Sequence, residues 1–562
     1  MATPAEAATT RLVDALRRQL AAQHPGAQVQ RIETHISWLL LAGADAYKLK
    51  KPLTLDFLDF ATGAQRRAAC EEELRINRRS APDLYLQVLP VTGTPEAPRL
   101  GGDPAQAIDW AVHMRRFPDH ALLSARAARG ALGPAHIDAL AREVAAFQAQ
   151  AAVAAPDSPW GRPEDLAQLA QDNFKPLFDL QPLSDQRGQL QFLQQWTQAE
   201  GARLAPLMAA RRAAGCVREG HGDLHLGNLL WLDGRARLFD AIEFNPALRW
   251  IDTAGDIAFL VMDLHAHDLA PLAWRFLNAW LEHTGDLGTV ARLPWDAVYR
   301  ALVRAKVAAL RVAQCQHAAD RAAALAQAQR YVRLAARLAA PRRPWLALTL
   351  GVSGSGKSSQ SQALIEQRGL VRLRADVERK RLFGLAPEAS SAAVPGGIYG
   401  EDVSERVFAH LLDATRALLQ AGQPVLVDAT FIRRARREPF VALAESLGLP
   451  GASWPSTRPK PCCASVCAAA TPAAATPRKP MKPCCSGSWP SANRWRPTKP
   501  RTRCASTPTR RWTGRTGTPP CRPPIDPEMI AAHALWTGAS GRFAFKPSGE
   551  RRALQARRRK PR

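Results

Sequence analysis

The chain has 562 residues, a formal net charge of +26 and a hydrophobic fraction of 46%. That length favours two or three domains over one, and each could bury a core of its own. Most of the excess positive charge lies after residue 450, so it does not mark residues 1–450 as a nucleic-acid-binding protein. No apolar run reaches membrane-spanning length, and Cys70, Cys216 and Cys315 stand singly, as reduced thiols do. We therefore predict a cytoplasmic protein without a membrane partner.

The first elements predict a sheet-rich lobe. A helix over residues 5–23 is followed by a hairpin with strands at 36–41 and 46–50. Lys48 and Lys50 lie on one face of the second strand, and a helix over 65–79 carries Glu71, Glu72 and Glu73. A strand lysine and a helix glutamate are the pair that holds ATP phosphates in kinases, and solvated surface charge is the alternative interpretation.

Further along, the pattern changes from strands to helices. Residues 84–90 and 109–115 are predicted strands, and the stretches 136–152 and 164–212 are rich in Ala, Leu and Gln, as helices are. The sequence therefore predicts a sheet-rich lobe followed by a helical lobe.

The stretch from His221 to Asn228 reads H-G-D-L-H-L-G-N, which fits the H-x-D-x-x-x-x-N catalytic loop of kinase-like enzymes. Predicted strands at 229–232 and 236–239 form a short hairpin that leads to Asp240. Phosphoryl transfer needs one carboxylate to accept the attacking hydroxyl's proton, and an amide and a second carboxylate to hold Mg²⁺. Asp223, Asn228 and Asp240 occupy the corresponding positions.

With Gly222 and His225 in this loop, residues 30–340 resemble the aminoglycoside phosphotransferase branch of the protein-kinase-like fold. The resemblance implies that Asp223 is the catalytic base and that Asn228 and Asp240 are metal ligands. It also implies that Lys48 contacts ATP, with Lys50 as the alternative. His221 is expected to support the loop, and Asp256 to brace it. No G-x-G-x-x-G loop precedes Lys48, which departs from the protein-kinase pattern.

An Ala/Leu/Arg-rich pattern predicts one nearly unbroken helix over residues 302–340, which the prolines at 341 and 344 end. We place the boundary between two domains, 1–340 and 341–450, at these prolines.

The second domain begins with a phosphate-binding loop. Gly351 to Ser358 fits G-x-x-x-x-G-K-[ST], between a predicted strand at 345–350 and a helix at 359–367. Backbone N–H groups of such a loop surround phosphate oxygens, the lysine reaches the β/γ-phosphates and the serine binds Mg²⁺. The predicted nucleotide-binding residues are Gly351, Gly354, Ser355, Gly356, Lys357, Ser358 and Ser359.

The strand at 370–374 leads to Asp376, and the apolar run 425–427 ends in Asp428, as a Walker B strand ends near Mg²⁺. Residues 345–450 thus resemble P-loop kinases of small metabolites and polynucleotide ends, the zeta-toxin and polynucleotide-kinase type. That resemblance implies Asp376 as candidate base and Arg379 as substrate contact. Four further arginines either meet phosphates or form an exposed basic face: Arg433, Arg434, Arg436 and Arg437.

The composition changes abruptly after residue 450. Residues 451–525 contain no Asp, Glu or Leu, so we predict a disordered basic tail without a packed core. Adjacent pairs such as Cys462 and Cys463 lack C-x-x-C spacing, which argues against zinc. We interpret the segment as translated out of frame from a GC-rich gene. The last strand and the lid of the P-loop domain would then be missing, and phosphoryl transfer by this domain impaired.

Taken together, the sequence predicts a two-domain α/β and α+β protein, with a bilobal kinase-like fold followed by a P-loop parallel sheet. We expect an ATP- and Mg²⁺-dependent phosphotransferase whose acceptor is a hydroxyl of a small molecule or nucleotide. A regulatory, non-catalytic ATP-binding protein and a nucleic-acid-associated ATPase are the alternatives.

Overall fold

The computed structural model describes residues 4–455, apart from 24–27, 35, 56–57, 316, 353–354, 393 and 395–396. These residues all belong to one compact unit, Met1–Ala475. Beyond Pro455, the predictions about the basic tail and its cysteine pairs lie outside the described residues. Within the described part of the chain, no helix combines the length and apolar character needed to cross a membrane.

The first part of the chain forms a six-stranded antiparallel sheet with one helix on each face. Its strands run in the order β1-β2-β3-β8-β6-β7. Leu12, Val13 and Leu16 of the first helix pack against one face, and Cys70 of the second packs against the other. The elements are α1 (Pro4–Gln23), β1 (Gln30–Glu33), β2 (Ser37–Ala42), β3 (Asp45–Lys50), β4 (Thr54–Leu55), β5 (Leu58–Asp59), α2 (Gly63–Asn77), β6 (Tyr85–Gly93), β7 (Pro98–Leu100) and β8 (Asp109–Arg115).

The position of β3 inside this sheet decides where its lysines point. β3 pairs with β2 on one side and β8 on the other. Because side chains alternate along a strand, Lys48 and Lys50 both face α2. Thr62 and Gln65 form a capping box that fixes where α2 begins.

The second part of the chain is helical, with two short two-stranded sheets. Helix α9 lies at its centre and is buried from Ala254 to Leu264, which fits its apolar composition. The elements are α3 (Leu123–Ala128), α4 (Pro134–Gln150), α5 (Pro163–Gln171), α6 (Phe174–Asp179), α7 (Arg187–Ala213), β9 (Val217–Glu219), β10 (Leu229–Leu232), β11 (Arg235–Leu238), α8 (Pro246–Arg249), β12 (Trp250–Asp252), α9 (Thr253–Ala266), α10 (Ala270–Thr284), α11 (Thr289–Gln314) and α12 (Ala318–Ala339).

The single helix predicted over residues 302–340 is wrong. The chain forms two helices, α11 and α12, and leaves helical geometry between Gln314 and Ala318. Ala297 and Leu302 of α11 share a core with Tyr331 and Ala335 of α12, so the second helix folds back along the first. No glycine or proline marks this turn, and the Ala/Leu/Arg pattern continues through it, so the helical period alone could not reveal it.

The last described part is a four-stranded parallel sheet in the order β14-β15-β13-β16, with helices following the strands. It confirms the predicted P-loop type of fold, because the phosphate loop joins its inner strand to a helix. The elements are β13 (Leu346–Leu350), α13 (Lys357–Arg368), β14 (Val371–Arg374), α14 (Ala375–Leu382), α15 (Glu401–Gln420), β15 (Val425–Asp428), α16 (Arg434–Ser446) and β16 (Gly451–Pro455).

The expectation that the last strand is missing is also wrong. β16 pairs in parallel with β13 from Leu346 opposite Gly451 to Leu350 opposite Pro455. The short run Gly-Ala-Ser-Trp-Pro carries little apolar signal, so its strand comes from backbone pairing with β13 rather than from its side-chain pattern.

This pairing predicts different outcomes for two truncations. A chain that ends at residue 455 keeps β16, whereas a chain that ends at residue 450 exposes the edge of β13. We expect the shorter chain to lose about 2 kcal/mol or more of unfolding free energy, because several backbone hydrogen bonds disappear together. Urea unfolding of the two truncated proteins measures this difference, and equal midpoints would contradict the role of β16.

Candidate functional site

A buried ion-pair cluster joins β3, α2 and the segment after β11. Lys48 Nζ lies 2.8 Å from Glu73 Oε1 and 2.5 Å from Asp240 Oδ1. The Glu73 side chain is completely buried, so α2 directs one of its three consecutive glutamates inward. Burial alone would raise the pKa of Glu73, but Lys48 and Lys50 lower it to about 2. The carboxylate is therefore ionised at neutral pH.

Lys50, the alternative nucleotide contact, has a different environment from Lys48. Its ammonium is completely buried, lies 2.5 Å from Glu73 Oε2 and also contacts Glu243. Lys48 keeps 14% of its side chain exposed beside Asp240. The geometry therefore favours Lys48 as the lysine that reaches a nucleotide, and Lys50 as an internal partner of Glu73.

Asp240 leaves the hairpin in a left-handed backbone conformation, with φ of 61°. Non-glycine residues adopt this conformation at a cost of order 1 kcal/mol or more, and such strain is concentrated at functional sites. The phenolic oxygen of Tyr85 accepts a hydrogen bond from the Asp240 N–H at 3.1 Å. Oδ1 of Asp240 binds Lys48, which leaves Oδ2 for a cation.

The loop from His221 to Asn228 holds Asp223 through one of its two carboxylate oxygens. Asn228 Nδ2 donates to Asp223 Oδ2 at 2.9 Å, and His225 Nε2 lies 3.3 Å from the same oxygen. His225 Nδ1 accepts the N–H of Gly227 at 3.0 Å, so the proton of a neutral ring is on Nε2 and is donated to Asp223. Asp223 Oδ1 therefore remains available to an acceptor hydroxyl.

The charge around Asp223 also favours the ionised form. Burial raises the pKa of Asp223, but His225 and the guanidinium of Arg304 on α11 lower it well below the ordinary range. Sequence reasoning missed Arg304, because it lies 81 positions after Asp223 in a helix with many arginines. Its Nη1 is 3.4 Å from His225 Nε2.

Two buried residues hold the backbone of the loop. His221 is fully buried and donates from Nε2 to the carbonyl of Phe239 at 2.9 Å. Asp256 on α9 accepts the N–H groups of His221 and Gly222, both at 3.1 Å. These contacts fit the support roles that the sequence predicted for His221 and Asp256. Gly222 has φ of 83°, and a Cβ there would lie 2.7 Å from the carbonyl oxygen of Leu248, so only glycine fits.

The phosphate loop forms a second site at the carboxyl end of β13. Gly356 has φ of 85° and precedes the first turn of α13, where it turns the chain into the helix. Lys357 Nζ donates to the carbonyl of Val352 at 2.7 Å, and Ser358 Oγ donates to Asp428 Oδ2 at 3.0 Å. Strand β15 thus brings the predicted Walker B carboxylate to the predicted metal-binding serine.

The other predicted residues of the phosphate loop are placed as follows. Gly351 follows the last residue of β13 and has φ of 151°, a backbone conformation that favours glycine, and Ser355 is buried. Ser359 is exposed on the first turn of α13. Gly354 lies outside the described residues.

Asp376 lies in the first turn of α14 and Arg379 in its last turn, directly after the carboxyl end of β14. Tyr399 connects them, because its hydroxyl lies 3.5 Å from Asp376 Oδ1 and its ring 5.1 Å from the Arg379 guanidinium. Arg379 also donates to Ser404 Oγ at 3.4 Å.

The four arginines after Asp428 contact neighbouring residues of the same domain. Arg433 and Arg436 contact Glu401, and Arg434 contacts Glu438. Arg437 donates to the carbonyls of Phe431 and Ile432.

These contacts establish the fold of both parts. An antiparallel sheet with a lysine–glutamate pair, followed by a loop, a hairpin and a helical lobe, is the arrangement of a protein-kinase-like fold. The parallel sheet with its phosphate loop is the arrangement of a P-loop fold. Residues 346–470 match the family model of an AAA domain. The match to the AAA domain continues past residue 450 and includes β16.

Comparisons with whole proteins gave further similarities. An uncharacterized protein of Mycobacterium tuberculosis is 29% identical over 400 residues, which cover 71% of this chain and 78% of that protein. Among solved structures, a choline/ethanolamine kinase family protein from Mesorhizobium loti has 14% identity and a TM-score of 0.34, covering 58% of this chain and 99% of that one. An ethanolamine kinase from Plasmodium vivax has 11% identity and a TM-score of 0.35, covering 56% and 84%.

Replacing Glu73 by Gln tests the buried cluster. Because the pKa of Glu73 falls from 4.5 to about 2 on folding, its charge stabilises the protein above pH 4.5, and that contribution is lost as the pH falls towards 2. We expect Glu73→Gln to lower the unfolding free energy by about 3 kcal/mol at pH 7, since each of two buried lysines loses one of its two carboxylate partners. Glu71→Gln is the matched control on the same helix, with an exposed ion pair and an expected change below about 0.5 kcal/mol. Denaturant unfolding at pH 7 and pH 4 measures both, and equal losses in the two variants would contradict the assignment.

The hydrogen bonds of His225 predict its tautomer. With Nδ1 accepting the Gly227 N–H, the neutral ring carries its proton on Nε2. Nitrogen NMR of protein that carries isotope-labelled histidine distinguishes the two tautomers. The signals of the His225 ring are those that disappear in a His225→Asn variant. A proton on Nδ1 would show that His225 does not donate to Asp223.

Proposed function

We propose that this chain is an ATP- and Mg²⁺-dependent phosphotransferase whose kinase-like part transfers a phosphoryl group to a hydroxyl. The observation that carries the proposal is the meeting of Lys48, Glu73 and Asp240 beside the loop that holds Asp223 and Asn228. These residues come from four separate places in the sequence and supply a phosphate contact, a base and two cation ligands in one cleft.

The geometry supports a specific division of labour. Lys48, held by Glu73, contacts ATP phosphates, and Asp223 receives the acceptor's proton on Oδ1 as the hydroxyl oxygen attacks the γ-phosphorus and ADP leaves. His225 and Asn228 hold the other oxygen and thereby set the orientation of the carboxylate. Positioning of this kind is the main source of rate enhancement in phosphoryl transfer.

The residues present fit a Mg²⁺ ion. Asn228 uses its amide nitrogen on Asp223, which leaves Oδ1 of Asn228, and Asp240 keeps Oδ2. The ion would neutralise charge on the triphosphate. In the described residues no cluster of three His, Cys, Asp or Glu side chains could hold a metal alone. A kinase Mg²⁺ site needs no such cluster, because phosphate oxygens and water complete its coordination.

For the AAA domain we propose binding of a second nucleotide. Gly351, Ser355, Gly356 and Ser359 would surround phosphate oxygens, with Lys357 on the β/γ-phosphates, and Ser358 and Asp428 beside Mg²⁺. Asp376 is the candidate base and Arg379 the candidate substrate contact. Because β16 pairs with β13, the sheet of this domain does not lack the strand whose absence the sequence had led us to expect.

We further propose a small molecule or nucleotide as the acceptor and the cytoplasm as the location. Free thiols at Cys70, Cys216 and Cys315 support a reducing compartment. We also keep the boundary between the two domains at residue 340 as a proposal, and the predicted end of the second domain at residue 450 moves to beyond β16.

Separate substitutions of the two candidate bases test this function. Purified protein and labelled ATP are incubated with hydroxylated metabolites, aminoglycosides and 5′-hydroxyl oligonucleotides. We expect Asp223→Asn to reduce transfer by roughly 10²- to 10⁴-fold, because the amide cannot accept the proton. Asp376→Asn tests the AAA domain in the same assay.

Asp233→Asn provides the matched control. Asp233 is exposed in the turn of the β10–β11 hairpin with φ of 50°, a conformation that asparagine also adopts. This variant should keep full activity. If Asp223→Asn and Asp376→Asn both leave transfer unchanged, neither carboxylate is the base and the proposed roles are wrong. If the unsubstituted chain binds nucleotide but transfers no phosphate to any acceptor, the chain is a non-catalytic nucleotide-binding protein and the proposal is wrong.

A further inference from the structure

Helix α10 of the kinase-like part covers the outer edge of the AAA domain's sheet. β14 is one of the two edge strands of that sheet, and its edge away from β15 faces Asn278 of α10. The Asn278 side chain is buried, donates to the carbonyl of Leu370 at 2.9 Å and accepts the N–H of Arg372 at 2.7 Å. Asn278 therefore satisfies the edge of β14 as a neighbouring strand would.

One turn further along α10, Glu282 joins two arginines of β14. Its Oε1 accepts Arg372 Nη2 and its Oε2 accepts Arg374 Nη1, both at 2.8 Å. The side chains are 16%, 7% and 29% exposed in the order Glu282, Arg372 and Arg374, so water screens the bridge only weakly. Charge-assisted bonds with this geometry fix both partners.

Arg372 connects this bridge to the phosphate loop. On the opposite side from Glu282, its Nη1 donates to the carbonyl of Ser358 at 3.2 Å and to Ser361 Oγ at 3.0 Å. Ser358 is the residue whose hydroxyl reaches Asp428. The first turn of α13 is thus held in place by a guanidinium that Glu282 orients.

Arg374 lies close to the acidic side chains of the same site. It is the register partner of Asp428 on β15, and neighbouring strands are about 4.8 Å apart. It also precedes Asp376 by two residues. Burial lowers the pKa of Arg374, but Glu282 and, more weakly, Asp428 and Asp376 raise it, so the charge persists. A guanidinium released from Glu282 would be free to pair with Asp428.

We infer that α10 forms one wall of the AAA domain's phosphate site, and that Glu282 is a positioning residue for it. Glu282 holds Arg372 against the first turn of α13 and keeps Arg374 away from Asp428. The inference rests on the proposed binding of Mg²⁺–nucleotide by the AAA domain. It adds that a residue more than 60 positions before the phosphate loop, in the kinase-like part, is needed for that binding.

The test uses the full chain carrying Lys48→Ala, so that Mg²⁺–ATP binding reports the AAA domain. We expect Glu282→Gln to weaken binding about tenfold, which corresponds to about 1.4 kcal/mol.

Glu366→Gln is the matched control, because Glu366 forms another ion pair with α10. It contacts Arg275 Nη1 at 2.7 Å, and its side chain is 21% exposed. This control should change affinity less than about twofold. Thermal unfolding compares the two variants, and Glu282→Asp replaces the amide variant if that protein does not fold.

Adding Arg374→Gln separates positioning from a general loosening of the interface. If a released Arg374 competes for Asp428, the double variant Glu282→Gln/Arg374→Gln should bind within about twofold of Arg374→Gln alone. Equal losses in Glu282→Gln and Glu366→Gln, or no recovery in the double variant, overturn the inference and leave the nucleotide site standing. Full binding in a Lys48→Ala/Lys357→Ala chain instead overturns the proposed nucleotide site, and the inference with it.

Discussion

The kinase-like part depends on one buried carboxylate, that of Glu73. An unpaired buried charge is very costly, so Glu73 requires cations on both of its oxygens. Lys48 and Lys50 supply them from a single strand, and Asp240 and Glu243 reach the same lysines from the helical lobe. The sheet, α2 and the helical lobe are thereby fixed relative to one another by one electrostatic requirement.

The same cluster carries a negative formal charge, which suits the proposed binding of a divalent cation. Two lysines face three carboxylates, so the formal charge is negative before any ligand binds. Asp240 lies at the open side of the cluster, with 39% of its side chain exposed, whereas Glu73 and Glu243 are enclosed. The excess negative charge therefore lies on the exposed side of the cluster, at Asp240, and the internal pairs hold Lys48 against this carboxylate.

Sequence reasoning succeeded where the chemistry is local and failed where it depends on tertiary contact. The loop from His221 to Asn228 and the phosphate loop carry their residues at fixed short spacings, so both could be located from the sequence. Glu243 and Glu282 could not, because their partners lie 193 and about 90 positions away. At β16 the prediction failed for a different reason. The composition after residue 450 indicated that the strand was missing, but β16 forms through backbone pairing with β13, to which its side-chain pattern contributes little.

The two candidate sites share a continuous support. Asp256 and Asp263 of α9 accept backbone N–H groups of the loop that carries Asp223, those of His221, Gly222 and Leu226. Helix α9 packs against α10 through one apolar core. That core continues from α10 into Val371 and Leu373 of β14, so no solvent layer separates the two parts there. Close-packed interiors transmit displacement because they have little free volume. A shift of α10 would therefore disturb the loop that carries Asp223 on one side and the Glu282 bridge to the phosphate loop on the other, and this common dependence favours retaining both parts in one chain.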